Sequence, residues 1–171
     1  LASRLTEDPH ISVLLLEAGR PDRHPFLRMP IAHPKVRHWP AYSWNYRSEP
    51  EPALNGRSLI IPRGKTLGGS SSINGMIYVR GNAQDFDGWA EQGATGWDYA
   101  RVLPYFRRAE GGYRGDTREH GSSGPLGVSR NDVRNLGFDL IHQTVINAGL
   151  PMSEDFATEP EGFGEGTAIA T

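Results

Sequence analysis

One stretch of the chain, residues 63–81, constrains the fold more than any other. It reads RGKTLGGSSSINGMIYVRG and follows a short apolar run that ends before Pro62. Gly68 and Gly69 carry no β-carbon, so the backbone there can approach a flat or charged ligand closely. Ser70–Ser72 suit the N-cap of a following helix, whose free N–H groups and dipole favour an anion. The stretch predicts a loop-to-helix cradle for an anion or cofactor, although GGSSS by itself fits a plain turn equally well.

An apolar run near the start of the chain predicts a buried strand. Residues 11–16 read ISVLLL and end at Glu17, Ala18 and Gly19. A short continuous apolar run of this kind fits a parallel strand that is buried on both faces. In a dinucleotide fold, an acidic residue at such a strand end accepts hydrogen bonds from ribose hydroxyls. Glu17 is predicted to do so, with an exposed carboxylate of no such role as the alternative.

The position of Glu17 also predicts that the chain is a fragment. The glycine fingerprint of a dinucleotide fold lies about 20 residues before the ribose-binding acid. That position falls before Leu1, and residues 1–5 then resemble the tail of the helix that the fingerprint opens. A carboxylate at this place would also repel a 2′-phosphate, which disfavours NADP.

Composition excludes several classes of function. With 18 basic and 20 acidic side chains the formal net charge is -2, which argues against a broad nucleic-acid surface. The sequence contains no apolar run of the roughly 18 residues that a membrane-spanning helix needs. Cysteine is absent, so disulfides and cysteine metal sites are excluded. His33 and His38 lack a third metal ligand, and the other four histidines are predicted on the surface or in loops: His10, His24, His120 and His142.

Prolines divide the first half of the chain. Eight of them between residues 20 and 62 forbid long helices there. The segment 44–50 is predicted to be extended, with Trp39, Trp44 and Tyr46 as core anchors rather than ligand contacts.

The second half carries clearer periodic elements. Helices are predicted over residues 85–92, 99–110 and 135–149, and a strand over 124–129. Pro104 indicates that the regular part of the second helix begins near Leu103, because proline is tolerated in the first turn.

The residues of the first stretch resemble the first signature of the glucose–methanol–choline (GMC) flavoprotein oxidoreductases, and the choline and alcohol dehydrogenase branch most closely. The matching positions are Gly64, Lys65, Leu67, Gly68, Gly69, Ser70, Ser71, Ile73, Asn74, Tyr78, Gly81 and Asp87. The resemblance implies an α/β fold, with a partial FAD-binding Rossmann-like domain and the beginning of an α+β substrate-binding domain. The expected boundaries are residues 1–120 and 121–171.

The same resemblance implies FAD as the cofactor and suggests which residues contact it. Glu17 would hold the adenosine ribose. The diphosphate and flavin edge would be lined by Thr66, Gly68, Gly69 and Ser70. The isoalloxazine ring would lie against Asn74, Gly75, Met76 and Ile77. Some members of the family tether FAD through a histidine at the position of Ile73, so noncovalent FAD is predicted here.

The implied reaction oxidises a small primary alcohol and transfers its carbinol hydride to flavin N5. The general base belongs, in the family, to a C-terminal histidine that has no counterpart here, so no catalytic residue is assigned and this chain alone is expected to be inactive. The alternatives are a hydroxynitrile lyase of the same fold and a non-catalytic remnant. The electron acceptor stays open, and the cytoplasm or a membrane periphery is the expected location.

Overall fold

The computed structural model describes residues 1–130, 137–158, 162–164 and 167–169. Its contacts divide the chain into two units, Leu1–Gly75 and Met76–Thr171. Among the described residues, no helix combines the length and apolar composition needed to cross a bilayer. In the same residues, no group of three or more His, Asp or Glu side chains could hold a metal ion.

The first unit consists of short elements joined by loops. Its helices and strands are α1 (Ala2–Leu5), α2 (His33–Val36), β1 (Tyr46–Arg47) and β2 (Ile60–Ile61), with 3₁₀ turns at Pro25–Arg28, Pro30–Ala32, Pro52–Leu54 and Gly69–Ser72. Strands β1 and β2 pair antiparallel, with Tyr46 opposite Ile61. A proline stands in the first turn of α2 and of three of the 3₁₀ turns, where its missing N–H costs nothing. The predicted absence of long helices between residues 20 and 62 is confirmed for this reason.

A small apolar cluster forms the core of this unit. Val36, Tyr42 and Ile73 are buried together, and Trp39 packs against them. His24 meets the Trp39 ring edge-on with centroids 5.0 Å apart. The prediction that Trp39 anchors a core is therefore confirmed.

Trp44 and Tyr46 were expected in the core, and this prediction is wrong. Their side chains are 42% and 53% exposed and stack on each other with ring centroids 6.1 Å apart. The Lys65 ammonium lies 4.2 Å from the Trp44 ring centroid. A cation over an aromatic face stabilises the ring without burying it, so both aromatics can stay on the surface.

The apolar run at residues 11–16 is not a buried strand in this structure. It forms no ladder with any described strand, and Leu14 and Leu16 are 84% and 83% exposed. A parallel strand exists only where neighbours satisfy its backbone groups and cover both faces. The described residues place no strand beside this run.

In the described residues, the second unit contains three helices and a four-stranded sheet. The elements are β3 (Ile77–Tyr78), α3 (Ala83–Glu91), α4 (Tyr99–Ala109), β4 (Glu110–Gly112), β5 (Leu126–Arg130), α5 (Phe138–Asn147) and β6 (Thr167–Ile169). The strand order is β3-β6-β5-β4, with β4 and β5 parallel and the other pairs antiparallel. The predicted α/β class is confirmed, and so are the helices near 85–92 and 135–149 and the strand near 124–129. Residues 135 and 136 of the predicted last helix lie outside the described residues.

Local capping fixes the first of these helices. The Asn82 side chain accepts a hydrogen bond from the Gln84 N–H at 3.0 Å, and the Asp85 carboxylate accepts one from the Asn82 N–H at 3.0 Å. This reciprocal pair is a capping box, which satisfies two backbone donors that the first turn leaves open. Phe86 then packs edge-on against Trp89 and Phe106, with centroids 5.1 and 5.6 Å apart.

The helix predicted over residues 99–110 is confirmed as α4, but its regular part does not start near Leu103 as expected, because the helix begins at Tyr99 with Pro104 inside it. Asp98 caps the first turn by accepting from the Arg101 N–H at 3.2 Å. The rings of Tyr99 and Phe106 both lie near Phe86 of α3. This cap and packing offset the backbone hydrogen bond that proline removes.

Replacing Asn82 with alanine is expected to lower the free energy of unfolding by about 1 kcal/mol, because the N-cap acceptor is lost. Urea denaturation followed by circular dichroism measures the change. The matched control is Gln84→Ala, an exposed substitution in the same first turn that leaves the capping atoms in place. Equal stability of the two variants would contradict the role of the cap.

Candidate functional site

The glycine-rich loop packs against the chain segment that follows Glu17. Arg20 and Thr66 form a parallel bridge. The Thr66 hydroxyl donates to the Arg20 carbonyl at 2.7 Å, and the Leu67 N–H donates to the same oxygen at 3.1 Å. Thr66 is fully buried. The structure therefore brings the predicted ribose acid and the predicted diphosphate loop into one local assembly.

Two glycines make this approach possible. A β-carbon at Gly19 would lie 2.0 Å from the carbonyl carbon and oxygen of Lys65, and one at Gly64 would lie 2.1 Å from the Gly69 oxygen. Real β-carbons are not found at such distances from backbone atoms. Gly19 thus lets the segment after Glu17 touch the loop, and Gly64 lets the loop fold on itself.

The loop does not lead into a regular helix as predicted. A 3₁₀ turn at Gly69–Ser72 follows Gly68, which has a φ of 86°. No serine caps this turn: the Ser70 hydroxyl accepts from the Gly64 N–H at 3.0 Å, and the Ser72 hydroxyl donates to the Leu67 carbonyl at 2.8 Å. Serine hydroxyls compete in this way with helical hydrogen bonding. The N-cap prediction is wrong, and a turn of four residues offers no macrodipole of the kind predicted.

A cleft of about 330 Å³ opens beside this assembly, and Glu17, Arg20, Arg23 and Leu67 contribute to its walls. Its volume lies at the lower end of the range for small-molecule sites, roughly 300–1,000 Å³. The Glu17 carboxylate accepts from the Gly19 N–H at 2.7 Å, which fixes the side chain near the wall. The residues around the cleft include two with carboxylates, Glu17 and Asp22, and two with guanidinium groups, Arg20 and Arg23, a combination that can bind both hydroxyls and phosphates.

The remaining predicted contacts lie at the surface. Asn74 and Gly75 are exposed at the end of the first unit. Met76 and Ile77 begin the second unit, where Met76 has a left-handed φ of 58° and Ile77 is 72% exposed. Left-handed backbone at a non-glycine residue is costly and is concentrated at functional sites. Contact of these four residues with a ligand stays a prediction.

The second unit contains a buried ionic network that the sequence did not reveal. Glu110 is 1% exposed and forms an ion pair with Arg80. Glu110 also accepts from the Tyr78 hydroxyl at 3.2 Å, and its other oxygen lies 2.7 Å from His120 Nδ1. His120 Nε2 lies 2.7 Å from an Asp155 oxygen. One imidazole therefore bridges two carboxylates, and His120, predicted as a surface or loop residue, lies in a loop with its side chain buried.

Burial and neighbouring charges shift the pKa values in this network. Burial raises the pKa of the Tyr78 hydroxyl, which therefore stays neutral and donates. Burial alone would lower the pKa of Arg80, but Tyr78 and Glu110 raise it above its ordinary value, so the guanidinium stays charged. Burial opposes ionisation of Asp155, but hydrogen bonds from His120 and the Ala157 N–H and the charge of Arg114 lower its pKa.

No sequence signal connects the members of the network. Glu110 and His120 are ten positions apart, Arg80 lies thirty before Glu110, and Asp155 thirty-five after His120. The adjoining cavity is only about 30 Å³, too small for a cofactor. Tyr78 ends β3 and Arg80 follows two positions later, but this spacing alone does not predict that the two side chains share a partner.

The chain is similar in sequence to a known protein family and to curated relatives. The family description GMC oxidoreductase matches residues 13–168. An oxygen-dependent choline dehydrogenase of Sinorhizobium fredii is 49% identical over 165 residues, which are 96% of this chain and 30% of that protein. A relative of the same name from Rhizobium rhizogenes is equally similar, at 49% over 165 residues. The chain thus spans about a third of the length of these curated relatives.

Two solved structures share the fold. Pyridoxine 4-oxidase from Mesorbium loti is 35% identical with a TM-score of 0.83, over 91% of this chain and 31% of that one. A formate oxidase of Aspergillus oryzae, described together with modification of its FAD, has a TM-score of 0.85 at 26% identity. The alignment covers 98% of this chain and 31% of the formate oxidase chain.

Gly19→Ala is expected to destabilise the protein by about 1–3 kcal/mol, because the added methyl group meets the Lys65 carbonyl and backbone must move. Urea denaturation gives the free energy, and hydrogen exchange at the Leu67 amide reports the local loss. Gly88→Ala is the matched control: its β-carbon meets no atom within 4 Å outside its own helix. The control is expected to be neutral or stabilising by up to about 1 kcal/mol. A Gly19 variant as stable as this control would contradict the close approach.

Acid is expected to weaken the protein partly through Asp155. Because its folded pKa is lowered, its ionised form stabilises the fold above the unfolded pKa of about 3.9, and this contribution is lost as pH falls through the folded value. Urea midpoints measured across pH 7 to about 2 should fall more steeply for the wild type than for Asp155→Asn. The exposed Glu91→Gln serves as control and should follow the wild type. Parallel curves for wild type and Asp155→Asn would disprove the contribution.

Proposed function

Because the chain belongs to the GMC oxidoreductase family, we propose that it supplies part of the FAD-binding region of an enzyme that oxidises a small alcohol. The family predicted from residues 63–81 is confirmed, and FAD is the cofactor of that family. FAD, when bound, accepts the hydride of the substrate's carbinol carbon. The role proposed for this chain is to bind and orient FAD.

The observation that carries the proposal is the joint placement of Glu17 and the glycine loop. Glu17 and Leu67, the loop residue before Gly68, line one cleft, because the Arg20 carbonyl holds Thr66 and Leu67 beside the segment after Glu17. A dinucleotide needs a carboxylate for its ribose and a closely approachable backbone for its diphosphate. Gly68 and Gly69 supply the second requirement with left-handed φ values of 86° and 57°.

The charges of the cleft fit the same ligand. The guanidinium groups of Arg20 and Arg23 would offset the negative charges of Asp22 and of a diphosphate, while Glu17 would accept from ribose hydroxyls. Buried Thr66 has its hydroxyl committed to Arg20, so its proposed contribution to the diphosphate site is to hold the loop in place.

Ile73 supports noncovalent binding. Its side chain is buried in the core cluster with Val36 and Tyr42 and carries no nucleophilic atom. The position at which some family members tether the flavin is therefore closed by packing. We propose that FAD is released intact when the polypeptide is denatured.

The substrate proposal follows the two curated relatives described above. Both named above are choline dehydrogenases, so the substrate class is a small alcohol of the choline type. The hydroxyl proton must be taken by a general base within hydrogen-bond reach of the substrate. We assign this role to no residue of this chain. The chain by itself is proposed to give no turnover.

A chimera tests the proposal. The aligned 165 residues of the Sinorhizobium fredii enzyme are replaced by this chain, and FAD binding and choline oxidation are measured. We expect flavin to copurify, acid precipitation to release it, and choline to reduce it. Glu17→Gln in the chimera should weaken FAD binding by about tenfold, the loss expected when a charge-assisted hydrogen bond becomes a neutral one.

The matched control is Glu51→Gln, an exposed carboxylate of the first unit outside the cleft. It should bind FAD as tightly as the unchanged chimera. A folded chimera without flavin would overturn the proposed function, and equal effects of the two glutamate substitutions would overturn the ribose role. Flavin retained by the denatured chain would overturn noncovalent binding.

A further inference from the structure

The buried carboxylate of Glu110 is saturated with donors. Arg80 and the Tyr78 hydroxyl bind one oxygen, and His120 lies at the other. A buried charge is tolerated only when it is paired and hydrogen-bonded, and breaking one member of such a pair is strongly unfavourable. Glu110 is therefore fixed, and it fixes the side chains that bind it.

Two of these donors belong to the same short segment. Tyr78 is the last residue of β3, and Arg80 follows two positions later. Arg80 is held further by a hydrogen bond of 2.5 Å to the Glu119 carbonyl and by the Phe106 ring, 5.2 Å from its guanidinium carbon. The chain just after β3 is thus anchored by side chains of α4 and β4 and by a backbone carbonyl of the loop before β5.

The other end of β3 joins a strained residue. Met76 has a φ of 58°, and its carbonyl accepts from the Ile169 N–H at 2.8 Å. β3 contains two residues and lies at the edge of its sheet, where it pairs with β6. So short an edge strand contributes little to its own placement. A left-handed non-glycine residue persists only where its surroundings over-determine it.

We propose that Glu110 is a positioning residue for the Met76–Ile77 segment, acting through Tyr78 and Arg80. The inference rests on the proposed function and on the prediction from the sequence that this segment lies against the flavin. Glu110 is buried, and we propose that it acts without contacting the cofactor or the substrate. It holds β3 in register, and β3 holds Met76 in its left-handed conformation with the Ile77 side chain exposed.

Other charged groups lie beside His120, on the side of the network away from Tyr78 and Arg80. His120 is also held by Asp155, and Arg114 lies 4.0 Å from the same carboxylate. Arg107 donates to the His120 carbonyl at 3.3 Å. These groups lie on the His120 side of Glu110, whereas Tyr78 and Arg80 connect Glu110 to β3 and to the residues that follow it. The proposal therefore predicts effects on β3 that Asp155 substitutions do not share.

Glu110→Gln tests the proposal, since it keeps the shape and removes the charge that compensates Arg80. In the 171-residue chain, hydrogen exchange at the Ile169 amide, which bonds to Met76, should accelerate by about tenfold or more. The β4–β5 ladder should change less. In the chimera, the absorption and circular dichroism of bound flavin should shift. Asp155→Asn and the exposed-pair control Arg101→Gln should leave the flavin spectrum unchanged.

Arg80→Lys gives a second test that does not depend on the Glu110 variant folding. It keeps the cation but cannot bind Glu110 and the Glu119 carbonyl together, so it should reproduce both changes. Unchanged exchange at Ile169 in a folded variant would overturn the proposal, as would a lowered melting temperature with an unaltered flavin spectrum. If the unsubstituted chimera binds no FAD, the proposed function fails, while the exchange experiment still decides whether Glu110 positions Met76.

Discussion

The contact between the glycine loop and the Arg20 carbonyl is the constraint on which the candidate site depends. One carbonyl oxygen accepts from both the Thr66 hydroxyl and the Leu67 N–H, and this draws the loop to within backbone contact of Gly19. The site is therefore made by backbone packing before any side chain meets a ligand. This explains why glycine and a buried threonine, rather than a set of reactive groups, dominate its sequence.

The same contact shows why the close backbone approach at the candidate site could be predicted from sequence. Backbone that must approach other backbone requires glycine, and glycines at fixed spacing beside a hydroxyl residue are visible in a sequence. Helices were predictable for a similar reason, since the capping atoms of α3 lie within three residues of each other. Information of this kind is local. Where it failed, as for the serines of residues 70–72, several local hydrogen-bonding arrangements compete and composition does not choose among them.

Long-range structure was beyond reach for a different reason. The exposure of Leu14 and Leu16 depends on which strands lie beside residues 11–16. An apolar run in the sequence does not predict which strands those are. Trp44 was misplaced because a cation from Lys65, twenty-one positions later, covers its ring. The ionic network has the same character, since Glu110 and Asp155 acquire their partners only through the fold.

The buried network also affects which conformation of the second unit is stable. A buried ion pair adds little net stability over apolar residues of equal volume, but it strongly disfavours arrangements that separate its members. It is therefore suited to fixing a single geometry. Beside a left-handed Met76 and an edge strand of two residues, such fixation has a clear physical use. A core of apolar side chains would hold this segment less uniquely, because apolar contacts are not directional and tolerate sliding. Hydrogen bonds to one carboxylate are directional and do not tolerate such sliding.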